Sequence, residues 1–129
     1  MDPLPLNQNE LEVLRILWEK EELKPAEIEA RFGWPIENAT LRSVLVNLVT
    51  KRQVRRRRQG KAYFYSARVT KVTQLQSMMG MLKRVFAGGS SGALVVQLVE
   101  TGDIKPEDLK IIREAAAENA PPKSKRGTP

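Results

Sequence analysis

The 129-residue sequence contains no cysteine and no histidine. Without cysteine there is no disulfide and no thiolate zinc site, and a reducing compartment is compatible with the chain. Without histidine, the commonest general base and the commonest metal ligand are both missing. No run of about 18 apolar residues occurs, so no membrane span is expected. The N-terminal MDPLPLNQNE has neither a basic stretch nor an apolar core, so no secretion signal is expected, and the location expected is cytoplasmic. There is no Gly-rich phosphate loop and no nucleophile–base set. Glu27 and Glu29 are paired only in sequence, and Glu27 suits the start of its own helix. No enzyme, cofactor or metal site is expected.

Aromatic residues are also few, and three of the seven lie in one stretch, QVRRRRQGKAYFYSA at 53–67. Positive charge gathers in the same region. Residues 37–87 hold 12 basic and 1 acidic side chains, residues 1–36 hold 4 and 8, and residues 88–129 hold 6 and 6. One contiguous part of the chain therefore carries the whole excess of +7. A polyanionic partner fits this distribution, and so does a solvated basic surface.

Periodicity supplies the elements. LNQNELEVLRILWEKE reads as a helix capped by Asn7, with Glu10 completing a capping box and Leu6 and Leu11 at staple positions. Leu11, Leu14, Leu17 and Trp18 mark its buried face. LKPAEIEARFG reads as a short helix with Pro25 at its first position and Gly33 as a left-handed end. Ile28 and Phe32 lie inward. Trp34-Pro35 makes an extended corner. A third helix from Glu37 or Asn38 to about Arg52 carries the apolar stripe Leu41, Val44, Leu45 and Leu48. Its other face shows Ala39, Ser43, Val46, Asn47 and Thr50, with Arg42 at the edge. That face has small and hydrogen-bonding side chains and no acid, as close approach to a groove requires.

Val54 to Arg58 and Lys61 to Ser66 read as two short antiparallel strands. Gly60 supplies the positive φ of the turn. Three helices and a hairpin in this order are a winged helix-turn-helix. Arginines on such a wing hold DNA phosphates without reading sequence. The aromatics either pin the hairpin to the core or stack on nucleobases, and pinning is preferred because stacking platforms expose their aromatics on an open sheet face. A four-Arg run also suits a localisation signal, but this one lies inside a patterned strand.

Beyond the hairpin, three helices are expected: Thr70 to Ala87, Ala93 to Glu100, and Ile104 to Asn119 with Leu109, Ile112 and Ala116 inward. Gly88-Gly89 and Gly102 separate them. They are too short to bury their own apolar faces. A second copy of the chain would cover them, or the chain's own N-terminal domain would. The tail APPKSKRGTP is Pro-rich and basic, and disorder is expected there.

The stretches NELEVLRILWEK, ATLRSVLVNLVTKRQVRRRRQGKAYFYSA, MLKRVFAGGSSGALVVQLVE and IKPEDLKIIRE resemble the penicillinase repressor family, over residues 7 to 118. The resemblance implies a mainly α fold. A winged-helix DNA-binding domain (1–68) precedes a small three-helix dimerisation domain (69–119) and a disordered basic tail (120–129). It implies a dimeric repressor on a palindromic operator, released by proteolysis in the dimerisation domain. Thr40, Arg42 and Ser43 match the family's Thr-x-Arg-Thr stretch, and Lys51 matches a lysine on the DNA backbone. The wing matches from Arg55 to Tyr65. Departures are Glu37 for Ser or Thr, Ala39 for Lys, and Val46 for Thr, where an apolar side chain can meet a thymine methyl. Gln97-Leu98 replaces the Asn-Phe pair cleaved in members that answer to a membrane sensor metallopeptidase. The paired cysteines of copper-responsive relatives are absent, which excludes copper sensing by that route.

The expected base-reading residues are thus Thr40, Arg42, Ser43, Val46 and Asn47. Thr50, Lys51, Arg55, Arg56, Arg57, Arg58 and Lys61 are expected on the DNA backbone. Leu75, Met78, Met79, Leu82, Phe86, Leu94, Val95, Leu98, Leu109 and Ile112 are expected at the dimer contact. The expected partners are a duplex operator, a second copy and a releasing protease, with association to the nucleoid. The competing reading is a basic winged helix that binds an acidic protein or coats DNA without specificity.

Overall fold

The computed structural model describes residues 6–120. Residues 121–129 of the expected basic tail lie outside them. Six helices and one antiparallel hairpin follow in the order α1 (Gln8–Glu19), α2 (Pro25–Arg31), α3 (Asn38–Thr50), β1 (Val54–Gln59), β2 (Ala62–Ala67), α4 (Lys71–Ala87), α5 (Ser91–Glu100) and α6 (Pro106–Glu118). The architecture is a mainly helical winged helix followed by further helices. Two compact units divide between Met79 and Gly80, inside α4.

In the first unit, α1 starts with the anticipated capping box. The Asn7 side chain accepts the Glu10 N–H at 2.8 Å, and Glu10 Oε1 accepts the Asn7 N–H at 2.9 Å. These bonds satisfy two donors that a helix start would leave open. Val13, Leu14, Ile16 and Leu17 are buried on α1, with Leu11 and Trp18 only half-buried. Ile28 from α2, the four stripe residues of α3, Val54 and Tyr65 complete the core with Leu23.

Gly33 departs from expectation. It does not adopt a left-handed φ. Its N–H donates to Glu12 Oε2 at 2.7 Å, and a Cβ there would lie 2.9 Å from the same oxygen. A side chain at 33 would press on the Glu12 carboxylate, so close approach, not a turn, favours glycine there.

The end of α3 sets the wing beside it. Arg52 takes φ 61, the left-handed conformation usually held by glycine. The Arg52 N–H donates to Val49 O and the Gln53 N–H donates to Leu48 O, which closes a Schellman motif and reverses the chain. β1 and β2 pair from Val54–Ala67 to Gln59–Ala62, with Gly60 at φ 63 in the turn. Leu23 exchanges two backbone hydrogen bonds with Tyr65, at 3.0 and 2.8 Å, so the α1–α2 connection adds a single bridge to the outer edge of β2.

In the second unit, α5 begins at Ser91 because Ser90 accepts the Ala93 N–H at 3.0 Å. The expected start at Ala93 overlooked that cap. Gly88, Gly89 and Gly102 all have positive φ where breaks were expected. Leu94 is the single buried hydrophobic residue among those described from Gly80 onward. No residue of α6 is buried: Leu109 is half-buried, and Ile112 and Ala116, expected inward, are exposed. Short helices with this few inward positions leave much apolar surface in water. Phe86 is 58% exposed and Ile111 65%. No described helix is long and apolar enough to cross a membrane.

Candidate nucleic-acid interface

Helix α3 buries Leu41, Val44, Leu45 and Leu48 and turns the rest outward. At about 100° per residue, Ala39, Ser43, Val46 and Thr50 fall within roughly 60° of one another, opposite the buried stripe. Arg42 flanks this strip on one side, and Thr40 and Asn47 flank it on the other. All seven are exposed. Val46 is 56% exposed, a large apolar side chain held in water by its helix face. The Thr50 hydroxyl donates back to Val46 O at 3.0 Å, so its proton is already used. The central strip is therefore low and uncharged, with one guanidinium at its border.

The hairpin divides its cations between two faces, because opposite residues in an antiparallel pair share a face. Val54, Arg56 and Arg58 share one with Tyr63, Tyr65 and Ala67. Val54 and Tyr65 belong to the core, and Tyr63 packs against it, so the two tyrosines pin the wing. Farther out, the Arg56 and Arg58 guanidinium groups lie 4.7 and 5.7 Å from the Tyr63 ring centre. Arg58 Nε also donates to Gly60 O at 2.9 Å. Arg55, Arg57 and Phe64 share the other face. Arg55 and Lys61 are exposed.

Two expected phosphate-binding cations are engaged within the protein. Lys51 Nζ donates to Glu10 Oε1 and Oε2 at 2.9 and 3.0 Å, and the Glu10 side chain is fully buried. Arg57 grips Glu22 with two nitrogens, at 2.7 and 2.8 Å. That contact holds the Glu22 carboxyl below its ordinary range and raises the guanidinium. Neither pairing was legible in the sequence, because the partners stand 41 and 35 residues apart. Arg52, exposed at the foot of the wing, was not singled out. A left-handed residue without glycine is a signal only once φ is known.

Among the residues expected at a dimer contact, Leu75, Phe86, Leu98 and Ile112 are exposed, and Met78, Met79, Leu82, Val95 and Leu109 are half-buried. Leu94 is buried. Val72, Val85, Val96, Val99 and Ile111 are exposed as well. Gln97 and Leu98 are both exposed within α5, and the Gln97 amide donates to Phe86 O. The described residues hold no cluster of acidic side chains that could bind a metal.

A low uncharged helix face beside a cationic wing matches the shape and charge of a DNA groove and its phosphates. A probable transcriptional regulator from Pseudomonas aeruginosa superposes with a TM-score of 0.52 at 13% identity, over 88% of this chain and 77% of that one. The YusO protein from Bacillus subtilis gives 0.51 at 16% identity, over 89% and 74%. The DNA-binding domain of the repressor BlaI gives 0.46 at 20% identity, over 55% and 90%. The first two likenesses speak for the fold. No curated protein matches the chain. The family model described as penicillinase repressor matches residues 6–118, nearly the whole of the described chain. The chain belongs to the penicillinase repressor family, a family of DNA-binding transcriptional regulators.

Proposed function

We propose that the protein represses transcription as a homodimer on a palindromic operator, with one α3 in the major groove of each half-site. The outer strip of α3 carries this reading. It is free of acid, low enough to approach base edges, and bordered by Arg42. Thr40, Arg42, Ser43, Val46 and Asn47 meet bases, and Thr50, at the C-terminal end of the strip, meets the DNA backbone. Arg42 suits guanine, and Val46 suits a thymine methyl. Arg55, Arg56, Arg58 and Lys61 hold phosphates on the flank. The exposed apolar residues of the C-terminal helices meet a second copy, because a two-fold contact covers the same patch on both protomers.

Release follows cleavage near Gln97-Leu98 by a protease, such as a membrane sensor metallopeptidase. Both residues are helical, so α5 must open locally before a protease can hold the chain extended. The test is equilibrium binding to the DNA upstream of the protein's own gene and to scrambled duplex, over a salt series. A specific complex about 10³-fold tighter than random, with two protomers per site, supports the reading. Equal and steeply salt-dependent binding to both duplexes leaves only backbone attraction and refutes the operator.

A further inference from the structure

We infer that Arg57 is a wing-positioning residue whose charge is committed to Glu22, so that it is not one of the wing's phosphate contacts. This rests on the reading of α3 and the wing as the DNA-binding face. By composition the four consecutive arginines are equivalent. Geometry separates Arg57 from the others. Its Nε donates to Glu22 Oε2 at 2.7 Å and its Nη2 donates to Glu22 Oε1 at 2.8 Å. Its Nη1 donates to Gln59 Oε1 at 2.9 Å, and the guanidinium lies 4.8 Å from the Phe64 ring centre.

Glu22 immediately precedes Leu23, whose backbone is bonded to Tyr65 on β2. The α1–α2 connection is therefore tied to β2 by backbone and to β1 by a forked ion pair. A two-stranded hairpin is marginal by itself, and β1 is exposed from Arg55 onward. The fork ties that exposed strand to the helical body. Arg56 and Arg58, on the opposite face, are aimed by where it holds β1.

The fork that Glu22 occupies is the one a phosphate would use. A guanidinium offers its Nε–Nη2 edge to one oxygen pair at a time. DNA taking Arg57 would leave the Glu22 carboxylate uncompensated beside a polyanion, which disfavours the exchange.

The discriminating variant is E22Q/R57Q, which removes both charges and keeps the net charge of the protein. Duplex affinity of the full-length protein is measured over a salt series beside wild type and R58Q. Amide hydrogen exchange at Leu23 and Tyr65 is followed in the same proteins. We expect E22Q/R57Q to bind several-fold more weakly at every salt concentration with an unchanged salt slope. R58Q should lower the slope by about one unit. Exchange at Leu23 should be faster in E22Q/R57Q and unaltered in R58Q. A slope lowered by about one unit in E22Q/R57Q would make Arg57 a phosphate contact and overturn the inference. Unchanged affinity, or unchanged exchange at Leu23, would overturn the positioning role. If wild type binds no duplex, the DNA reading fails, and the exchange comparison still decides whether the pair braces the wing.

Discussion

Lys51 at the end of α3 reaches back to Glu10 in the first turn of α1, with its ammonium 2.9 and 3.0 Å from the two carboxylate oxygens. Glu10 is fully buried, whereas the lysine side chain keeps 22% exposure. The same carboxylate closes the capping box of α1. One acid thus caps a core helix and ties down the C-terminal end of α3.

The asymmetry of burial predicts an asymmetry of mutants. Lys51→Met takes the lysine from a fully buried carboxylate and should cost about 2–4 kcal/mol, toward the lower side of what breaking a buried pair costs. Glu10→Gln leaves a lysine that can still reach water and a side-chain oxygen that can still accept from Asn7. It should cost less, about 1–2 kcal/mol. Urea unfolding of both variants measures this. A larger loss for Glu10→Gln would contradict the assignment.

Gly33→Ala should destabilise by about 1–3 kcal/mol through overpacking. The new methyl would stand 2.9 Å from Glu12 Oε2, an oxygen already held by the Gly33 N–H and by Arg15 at 2.6 Å. Its φ is not positive, so backbone strain is not the cause. Combining Gly33→Ala with Glu12→Ala removes the clash, and thermal unfolding should then show less than the sum of the two losses.

Glu12 also sets an acid limit. The Arg15 side-chain hydrogen bond lowers its pKa most, the Gly33 N–H lowers it further, and burial works against both. A carboxylate lowered on folding contributes stability in full above its unfolded value, about 4.3. The contribution disappears as pH falls through the lower folded value. Wild type should therefore lose more stability than Glu12→Gln on acidification below about pH 4.3. Parallel stability–pH curves for the two proteins would show that Glu12 does not supply it.

Arg42→Ala should weaken operator binding by about 1–3 kcal/mol and leave random duplex less affected, if its guanidinium pairs with a guanine. Arg55→Ala should weaken both duplexes alike and flatten the salt slope by about one unit. Equal losses on both duplexes for Arg42→Ala would move Arg42 from base reading to backbone holding.

Phe86→Asp places a charge on an exposed apolar patch that nothing within the described chain covers. If a second copy covers it, the charge is buried without a partner, and the mass found by sedimentation should fall from two protomers to one. Unfolding of the N-terminal unit should be unaltered. A monomeric wild type would remove the dimer from the proposal.

The three helices and hairpin of the first unit were legible in order and nearly in extent. Each is written in short-range chemistry. Asn7 caps a residue three positions away, the α3 stripe repeats within one helical turn, and Gly60 supplies a φ that its own turn demands. Such signals survive without knowledge of where the chain returns. The basic, acid-free span from Asn38 to Ala87 was legible for the same reason, since composition does not depend on folding.

What the tertiary structure decided is the fate of individual charges and of one glycine. Glu10 was expected only to close a capping box, yet it is fully buried, and Glu12 is buried beside it in sequence. Lys51 and Arg57 read as members of a phosphate-binding set, yet each meets an acid supplied by a distant segment. Gly33 read as a helix end, yet it makes room for a carboxylate from α1. An ion pair depends on which segments the fold brings within a few ångströms, and desolvation depends on what covers them. Neither is encoded within four residues of the side chain concerned, so the sequence determined the elements while the packing decided which cations meet an acid.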